Sequence, residues 1–183
     1  MKKYELTAEF IEKWGKKLFR IKALISFGSV EAGELGGYVE KEDNLAQDGN
    51  AWVYGDARVY GDARVCGNAE VYGDAWVCGN AEVYGNARVC GNAEVYGNAD
   101  YLLIGRIGSR FSFTTFFKNK DKGITVSCGC FLGTIAEFRA KVTDTHGNNK
   151  HAKIYNLAAD MAELQILGEE HFDKLNTNKS EPF

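Results

Sequence analysis

The sequence predicts a mainly β fold organised around a solenoid of short strands, and two observations support this prediction. First, a six-residue phrase repeats almost without variation over residues 53–100, reading VYGDAR, VYGDAR, VCGNAE, VYGDAW, VCGNAE, VYGNAR, VCGNAE and VYGNAD. Second, each phrase joins a β-branched Val to a Gly followed by Asn or Asp, which suits a short strand and a tight corner. A Gly-Asn or Gly-Asp pair every six residues would break a helix, so the period indicates a repeat architecture.

The phrase resembles the hexapeptide repeat of the left-handed parallel β-helix, in which three phrases form one triangular coil. A weaker copy, QDGNAW, occupies residues 47–52, and the predicted solenoid spans residues 47–106 with about three coils. Val and Ala should point inward, so we expect the eight phrase-initial valines to be buried and the coils to stack about 4.8 Å apart. The handedness follows from the resemblance alone.

Residues 1–46 are predicted to cap the first coil with a helix and a β-hairpin. Thr7 can cap a helix that extends to about Lys17, and its apolar stripe consists of Phe10, Ile11, Trp14 and Leu18. Residues 18–25 alternate like a strand, and residues 36–40 can return beside it. Such a cap would cover the backbone groups and the core that an open coil end exposes.

Residues 107–175 are predicted to form a ββαα unit that caps the other end. Its strands are residues 111–117 and 124–131, and Thr134 with Glu137 forms a capping box that opens a helix to about His146. A second helix spans about residues 150–167, and its predicted buried side comprises Ile154, Leu157, Ala158, Met161, Leu164 and Ile166. Residues 176–183 are predicted to be a disordered tail.

Composition excludes several classes of protein. The net charge of −3 and pI near 5.7 argue against a generic nucleic-acid coat. No apolar stretch is long enough to span a membrane, and the first residues lack an apolar signal region, so we expect a cytoplasmic location. The spacing of the five cysteines predicts reduced thiols rather than disulfides, and we expect no metal site and no cofactor.

The segments that flank the repeats are similar to those of a family of small phage and prophage proteins. The shared head consists of RIKAL (20–24) and GELGGYVE (33–40), and the shared tail consists of IGSR (107–110), TTFF (114–117), CGCF (128–131) and THGNNKH (145–151). The resemblance implies a phage-encoded accessory protein in the host cell cytoplasm. Antagonists of bacterial defence form a large class of such proteins, so it further implies anti-CRISPR-like inhibition of a Cas9–guide RNA complex by binding.

The outward columns of the solenoid are candidate binding surfaces. Stacking by 18 residues aligns Tyr54 with Tyr72, and Trp76 lies in the column of Arg58 and Glu94. This aromatic surface is larger than a monomer needs, which predicts a homo-oligomer. Packing of the terminal segments, a partner protein, or stacking on a sugar or nucleotide are alternative explanations.

A second candidate surface is basic. Arg20 and Lys22 share one face of a strand, and Lys16 and Lys17 lie near them in the predicted helix. Such a patch can bind RNA or an acidic protein through contacts that weaken as salt rises. The alternative is that these side chains are solvated and that the hairpin only seals the solenoid.

Two enzymatic alternatives remain open. Many hexapeptide-repeat trimers transfer acyl groups with a catalytic His, but this chain has no His in its head or repeats. The tail loop offers His146, Lys150 and His151, which could cleave an RNA phosphodiester by acid–base chemistry. The favoured alternative is that these three are surface residues at helix ends, with His146 facing the helix dipole. Binding to a host protein or ribonucleoprotein is therefore the predicted function.

Overall fold

The computed structural model describes residues 2–170, and two compact units make up this part of the chain. One unit ends at Asn98 and contains the repeats, and the other begins at Ala99. The predicted tail at residues 176–183 and the last residues of the predicted C-terminal unit lie outside the described residues. Within residues 2–170, no helix has the length and apolar character required to cross a membrane.

The repeats form a parallel β-solenoid of about three coils. Each phrase contributes a two-residue strand, and strands 18 residues apart pair in parallel, for example Arg58–Val59 with Trp76–Val77. All eight phrase-initial valines are buried, and so are the alanines of the first seven phrases, which confirms the predicted core. The strands are β4 (Trp52–Val53), β5 (Arg58–Val59), β6 (Arg64–Val65), β7 (Glu70–Val71), β8 (Trp76–Val77), β9 (Glu82–Val83), β10 (Arg88–Val89) and β11 (Glu94–Val95).

The corners explain why each phrase contains Gly followed by a small polar residue. Gly73 has a φ of 74°, and a Cβ there would lie 2.9 Å from the backbone nitrogen of Gly91 in the next coil. Only Gly combines this conformation with such a close approach. Beside the corners, Asn50 donates a hydrogen bond to Asn68 at 3.0 Å, and Asn68 donates one to Asn86 at 3.4 Å. The corners therefore lock the coils into an 18-residue register.

The solenoid begins earlier than residue 47, so the predicted boundary at residue 46 is wrong. Strand β3 (Leu35–Val39) pairs in parallel with β5, and Leu45 forms a parallel bridge with Val65. Both Val39 and Leu45 are buried at the positions that the repeat valines occupy in later coils. The first coil lacks the hexapeptide phrase, but its buried aliphatic side chains occupy the same positions as the repeat valines.

The predicted N-terminal helix does not form, because residues 7–17 belong to a β-hairpin. Strands β1 (Tyr4–Lys13) and β2 (Lys16–Ala23) pair antiparallel around Trp14 and Gly15, whose φ values of 51° and 73° make the tight turn. The apolar residues at 10, 11, 14 and 18 fit a helical stripe equally well. Pairing with β2, which itself pairs antiparallel with β3, satisfies the backbone groups and decides the outcome.

One continuous sheet joins the hairpin to the solenoid, in the strand order β1-β2-β3-β5-β8-β11. We call the solenoid face that carries β3, β5, β8 and β11 the hairpin face. The N-terminal segment also covers Trp52, which is fully buried. Its ring makes edge-on contacts with the rings of Tyr4 and Phe27, with 6.0 Å and 5.4 Å between the ring centres. The predicted cap is thus present at the first coil, built from strands.

The C-terminal unit contains an antiparallel sheet in the order β12-β13-β14-β15 and two helices. It has four strands where two were predicted, because residues 101–107 form a strand and Gly129 divides the predicted strand 124–131 in two. The capping box of Thr134 and Glu137 is present as predicted, and Asn149 caps the second helix. The elements are β12 (Tyr101–Ile107), β13 (Ser112–Lys118), β14 (Ile124–Cys128), β15 (Phe131–Thr134), α1 (Ile135–His146) and α2 (Lys150–Leu167).

The core of this unit lies between the sheet and the helices. Phe138 of α1 makes edge-on contacts with Phe116 at 5.8 Å and with Tyr155 of α2 at 5.6 Å. The predicted buried side of α2 is largely wrong: Ala158 and Ile166 are buried, but four of the six residues are exposed, namely Ile154, Leu157, Met161 and Leu164. A different set of residues on the opposite side of the helix packs on the sheet.

Candidate functional site

The basic residues of the hairpin are paired with carboxylates. The Lys16 ammonium lies 2.6 Å from the Glu40 carboxylate, and the Arg20 guanidinium lies 3.3 Å from Glu9 and 3.0 Å from the Tyr38 hydroxyl. These contacts balance the charge of the surface that the sequence predicted to be basic. The sequence analysis missed them because a helix over residues 7–17 places Glu9 away from Arg20.

The two other predicted cations also face acidic or aromatic neighbours. Lys22 stands directly opposite Glu5 in the β1–β2 ladder, and the Lys17 ammonium lies 4.6 Å from the centre of the Phe10 ring. Opposite charges across a ladder stabilise strand pairing by a few tenths of a kcal/mol. As predicted, Arg20 and Lys22 share a face while Ile21 is buried on the other, but the arrangement stabilises the hairpin more than it offers a cationic patch.

The predicted aromatic binding residues are half-buried. Trp14 of the hairpin turn stacks on Tyr60 at 5.3 Å and meets Trp76 edge-on at 4.6 Å, and the Tyr54 hydroxyl lies 3.1 Å from the Ser29 hydroxyl. Burial and a hydrogen bond to the Cys90 sulfur raise the pKa of Tyr72 to about 12. Packing of the N-terminal segment, one of the alternatives, therefore accounts for part of the aromatic surface.

A cleft in the C-terminal unit contains one of the predicted residues, His146. Its volume is about 220 Å³. The sheet contributes the turn before Ser112 and the turn around Gly129, and α1 and α2 form the other wall. The lining comprises Ser109, Arg110, Ser112, Cys128, Gly129, Cys130, Phe131, Phe138, Lys141, Val142, Thr145, His146 and Tyr155.

Contacts with Gly108 and Cys128 hold the Tyr155 hydroxyl in the cleft. This hydroxyl occupies the space that a Cβ on Gly108 would fill, and it forms a hydrogen bond with the Cys128 thiol. Thr114 also donates a hydrogen bond to the Cys128 sulfur at 3.2 Å. Burial and the Cys128 contacts raise the pKa of Tyr155, so this phenol stays neutral at physiological pH.

His146 and His151 lie close together, but only His146 lines the cleft. The His146 ring stacks on Tyr155 at 5.7 Å and lies 5.8 Å from the His151 ring. His151 is half-buried, and its Nδ1 has no hydrogen-bond partner. Lys150 is exposed at the start of α2 and does not line the cleft. The predicted catalytic trio is therefore not assembled around one cavity.

The cleft is cationic. Arg110 and Lys141 line it beside the His146 ring, and neither Asp nor Glu belongs to the lining within residues 2–170. Aromatic rings of Phe131, Phe138 and Tyr155 supply its apolar surface. Such a lining suits an anionic group attached to an apolar or planar body.

Most of this site could not be predicted from the sequence. Cys128 and Arg110 stand out there only as members of the CGCF and IGSR segments, and no pattern selects Lys141 or Tyr155. No local pattern marks them, because they come from two turns and two helices that meet only in the folded unit. Within the described residues, no group of three or more His, Cys, Asp or Glu side chains is placed to hold a metal ion.

The repeat itself is recognised by comparison with known proteins. A family model described as the YdcK beta solenoid repeat matches residues 51–65 and 63–79. The chain is a β-solenoid repeat protein. The matched residues cover β4 to β8 and lie outside the C-terminal cleft. No curated protein matches this chain.

Proposed function

We propose that the protein is a phage-encoded accessory protein that antagonises a host defence system by binding, in the host cell cytoplasm. The proposed target is a ribonucleoprotein, with a Cas9–guide RNA complex as the first to test. The similarity of the head and tail segments to phage and prophage proteins supports the proposal that a phage encodes this protein. The cleft of the C-terminal unit supports the proposal that its target contains RNA.

The cationic lining of the cleft carries this proposal. RNA presents phosphates attached to planar bases, and Arg110 and Lys141 can neutralise a phosphate while the aromatic walls contact a sugar or base. A carboxylate beside the phosphate would repel it, and the lining contains none within residues 2–170. The protein has a net charge of −3, so a local cationic site concentrates binding in one place.

The positions of the candidate catalytic side chains favour binding without cleavage. Cleavage of a phosphodiester by acid–base chemistry needs two groups that reach the same phosphate from different sides. Of His146, Lys150 and His151, only His146 faces the cleft. Within residues 2–170, the hydrogen bonds of the Cys128 thiol are with the hydroxyls of Thr114 and Tyr155, and neither hydroxyl is a base that would activate the thiol.

A charge-reversal experiment tests the proposal. Purified protein is mixed with Cas9 and guide RNA, and both DNA cleavage and the length of the guide are measured. The cleft variant combines Arg110→Glu with Lys141→Glu. The matched control combines Lys120→Glu with Lys122→Glu, which makes the same charge change at exposed residues of the β13–β14 turn, outside the cleft lining.

We expect inhibition with an intact guide from the natural protein and from the control, and loss of inhibition from the cleft variant. Binding to labelled guide RNA should weaken as salt rises. In the cleft variant, the slope of log binding constant against log salt concentration should be shallower, by the equivalent of about one to two phosphate contacts. A shortened guide would favour the enzymatic alternative. An absence of inhibition by the natural protein would remove Cas9 as the target.

A further inference from the structure

Helix α2 carries two apolar stripes on opposite sides. The inner stripe packs in the core of the C-terminal unit and consists of Ala152, Tyr155, Ala159, Ala162 and Ile166. The outer stripe faces solvent and consists of Ile154, Leu157, Met161 and Leu164, which are 38%, 62%, 57% and 45% exposed. At 100° per residue, the outer stripe lies on the side of the helix away from the core.

The outer stripe has the spacing of a helix–helix contact. Its members are separated by three, four and three residues, which is the a and d pattern of a coiled-coil seam. The stripe extends along about 15 Å of the helix axis. Single exposed apolar residues need no explanation, but an aligned row of four on one helix marks a contact surface.

The charges at the ends of α2 identify the orientation of the partner helix. Lys150 and Lys153 lie in the first turns, and Glu169 and Glu170 follow the helix. The first turn of α2 has no acidic residue and the last turn has no basic residue, which is the reverse of what the helix dipole favours. An antiparallel copy of α2 would place each lysine end beside a glutamate end.

We infer that two copies of the chain associate through the outer stripe of α2, with the two helices antiparallel. A two-fold axis midway between Leu157 and Met161 places Leu157 of each copy against Met161 of the other copy. The same axis pairs Ile154 with Leu164, so one stripe is complementary to itself. This surface differs from the tyrosine columns, which were the predicted site of self-association, and it is independent of the RNA-binding cleft.

Sedimentation equilibrium of the full chain over a wide range of concentration tests the inference. The natural protein should show a reversible monomer–dimer equilibrium. Leu157→Glu with Met161→Glu should weaken it at least about 100-fold, because four carboxylates would enter the seam. Leu132→Glu, at an exposed apolar residue of β15, should leave it unchanged. Circular dichroism at the helical band verifies that each variant is folded.

A charge swap tests the antiparallel orientation. Lys150→Glu with Lys153→Glu should weaken association several-fold, and so should Glu169→Lys with Glu170→Lys. The chain that carries all four substitutions should recover the natural dimer, because the opposite charges meet again. A monomer at every concentration would overturn the inference. A dimer that persists in the Leu157→Glu, Met161→Glu variant, or a swapped chain that stays weak, would overturn it as well.

Discussion

The solenoid and the C-terminal unit differ in how far a residue's position in the sequence decides its surroundings. In the solenoid, position within the six-residue phrase is sufficient: every phrase-initial valine is buried. In α2, the apolar residues follow helical spacing on two sides, and only the stripe that contains Tyr155 reaches the core. A repeated local geometry thus allows the buried residues to be predicted from the sequence. In a single helix with two apolar sides, tertiary packing decides which side is buried.

The natural chain allows each unit to be followed separately. Its three tryptophans, Trp14, Trp52 and Trp76, all belong to the unit that ends at Asn98. Both α-helices of the described residues belong to the other unit. Tryptophan fluorescence therefore reports on the solenoid, and the helical circular dichroism signal reports on the C-terminal unit.

The largest expected effect comes from a charge inside a coil. Val77→Asp places a carboxylate in a fully buried position without a partner, which should destabilise the solenoid by more than about 4 kcal/mol. Denaturant titration should show an early tryptophan transition while the helical signal is retained. The control is Asn80→Asp, because Asp already occupies the equivalent corner at Asp56, Asp62 and Asp74. Natural stability in Val77→Asp would contradict the solenoid core.

The second effect concerns the contact between α1 and α2. The Arg139 guanidinium lies 2.7 Å from both Asp160 and the buried Glu163. Arg139→Ala should cost about 3 kcal/mol or more, because Glu163 would remain buried without its partner. The helical signal should be lost at lower denaturant than in the natural protein, with the tryptophan transition unchanged. Replacing both residues, as Arg139→Met with Glu163→Leu, should restore most of the stability; failure to do so would argue against an unpaired charge as the cause.

The third effect depends on pH and concerns the buried Lys3. Its ammonium donates hydrogen bonds to the carbonyls of Ala51 at 2.9 Å and Asp48 at 3.3 Å, and burial lowers its pKa to about 8. Between pH 8 and 10 the unfolded chain binds more protons at Lys3 than the folded chain does. The contribution of Lys3 to stability should therefore rise with pH in this window, by about 2 kcal/mol at most.

Above pH 10 the trend should reverse, because burial raises the pKa of Tyr4 and the unfolded chain then loses protons first. Denaturant titrations of the natural chain and of Lys3→Met between pH 8 and 10 test the assignment. The variant lacks the titrating ammonium, so the stability difference between the natural chain and the variant should rise with pH in this window. Burial also raises the pKa of the Cys90 thiol, and this group lowers the stability of both chains equally as pH rises. An equal rise in both chains would show that another group is responsible.

The smallest effect concerns the turn of the hairpin. Trp14→Ala removes the contacts with Tyr60 and Trp76 and should cost about 1 kcal/mol. Trp14→Asn loses the same contacts but favours the positive φ of this turn, so it should be more stable than the Ala variant. Scanning calorimetry measures both. If the Ala variant is as stable as the natural chain, the contacts of Trp14 with Tyr60 and Trp76 do not stabilise the protein.

The architecture of the repeats could be predicted from the sequence because one physical solution satisfies every phrase at once. The hairpin could not, because Phe10, Ile11, Trp14 and Leu18 fit a helical stripe as well as a strand. The decisive fact is the pairing of β2 with β3, a contact between residues well separated along the chain. Likewise, the sequence suggested a cap before residue 47, but Val39 and Leu45 already occupy coil positions.

The candidate site was predicted only in part. His146 was selected from its loop and does line the cleft, but Arg110, Lys141 and Tyr155 come from separate elements without a shared motif. The surroundings of the predicted basic residues could not be predicted from one segment. Arg20 lies on a strand as predicted, but Lys16 lies on the same strand and not in a helix. The carboxylates that pair with them, Glu9 and Glu40, come from other parts of the chain.

The stacking of residues 18 apart also determines how such a protein can change its length. Insertion or deletion of 18 residues returns every side chain to its original column, so Asn would still stack on Asn at the corner and Trp76 would still lie on the hairpin face. Insertion of six residues preserves the fold of each phrase but moves all later residues to the next face of the triangle. The coil, and not the phrase, is therefore the smallest unit by which duplication can lengthen this solenoid while its surface pattern stays intact.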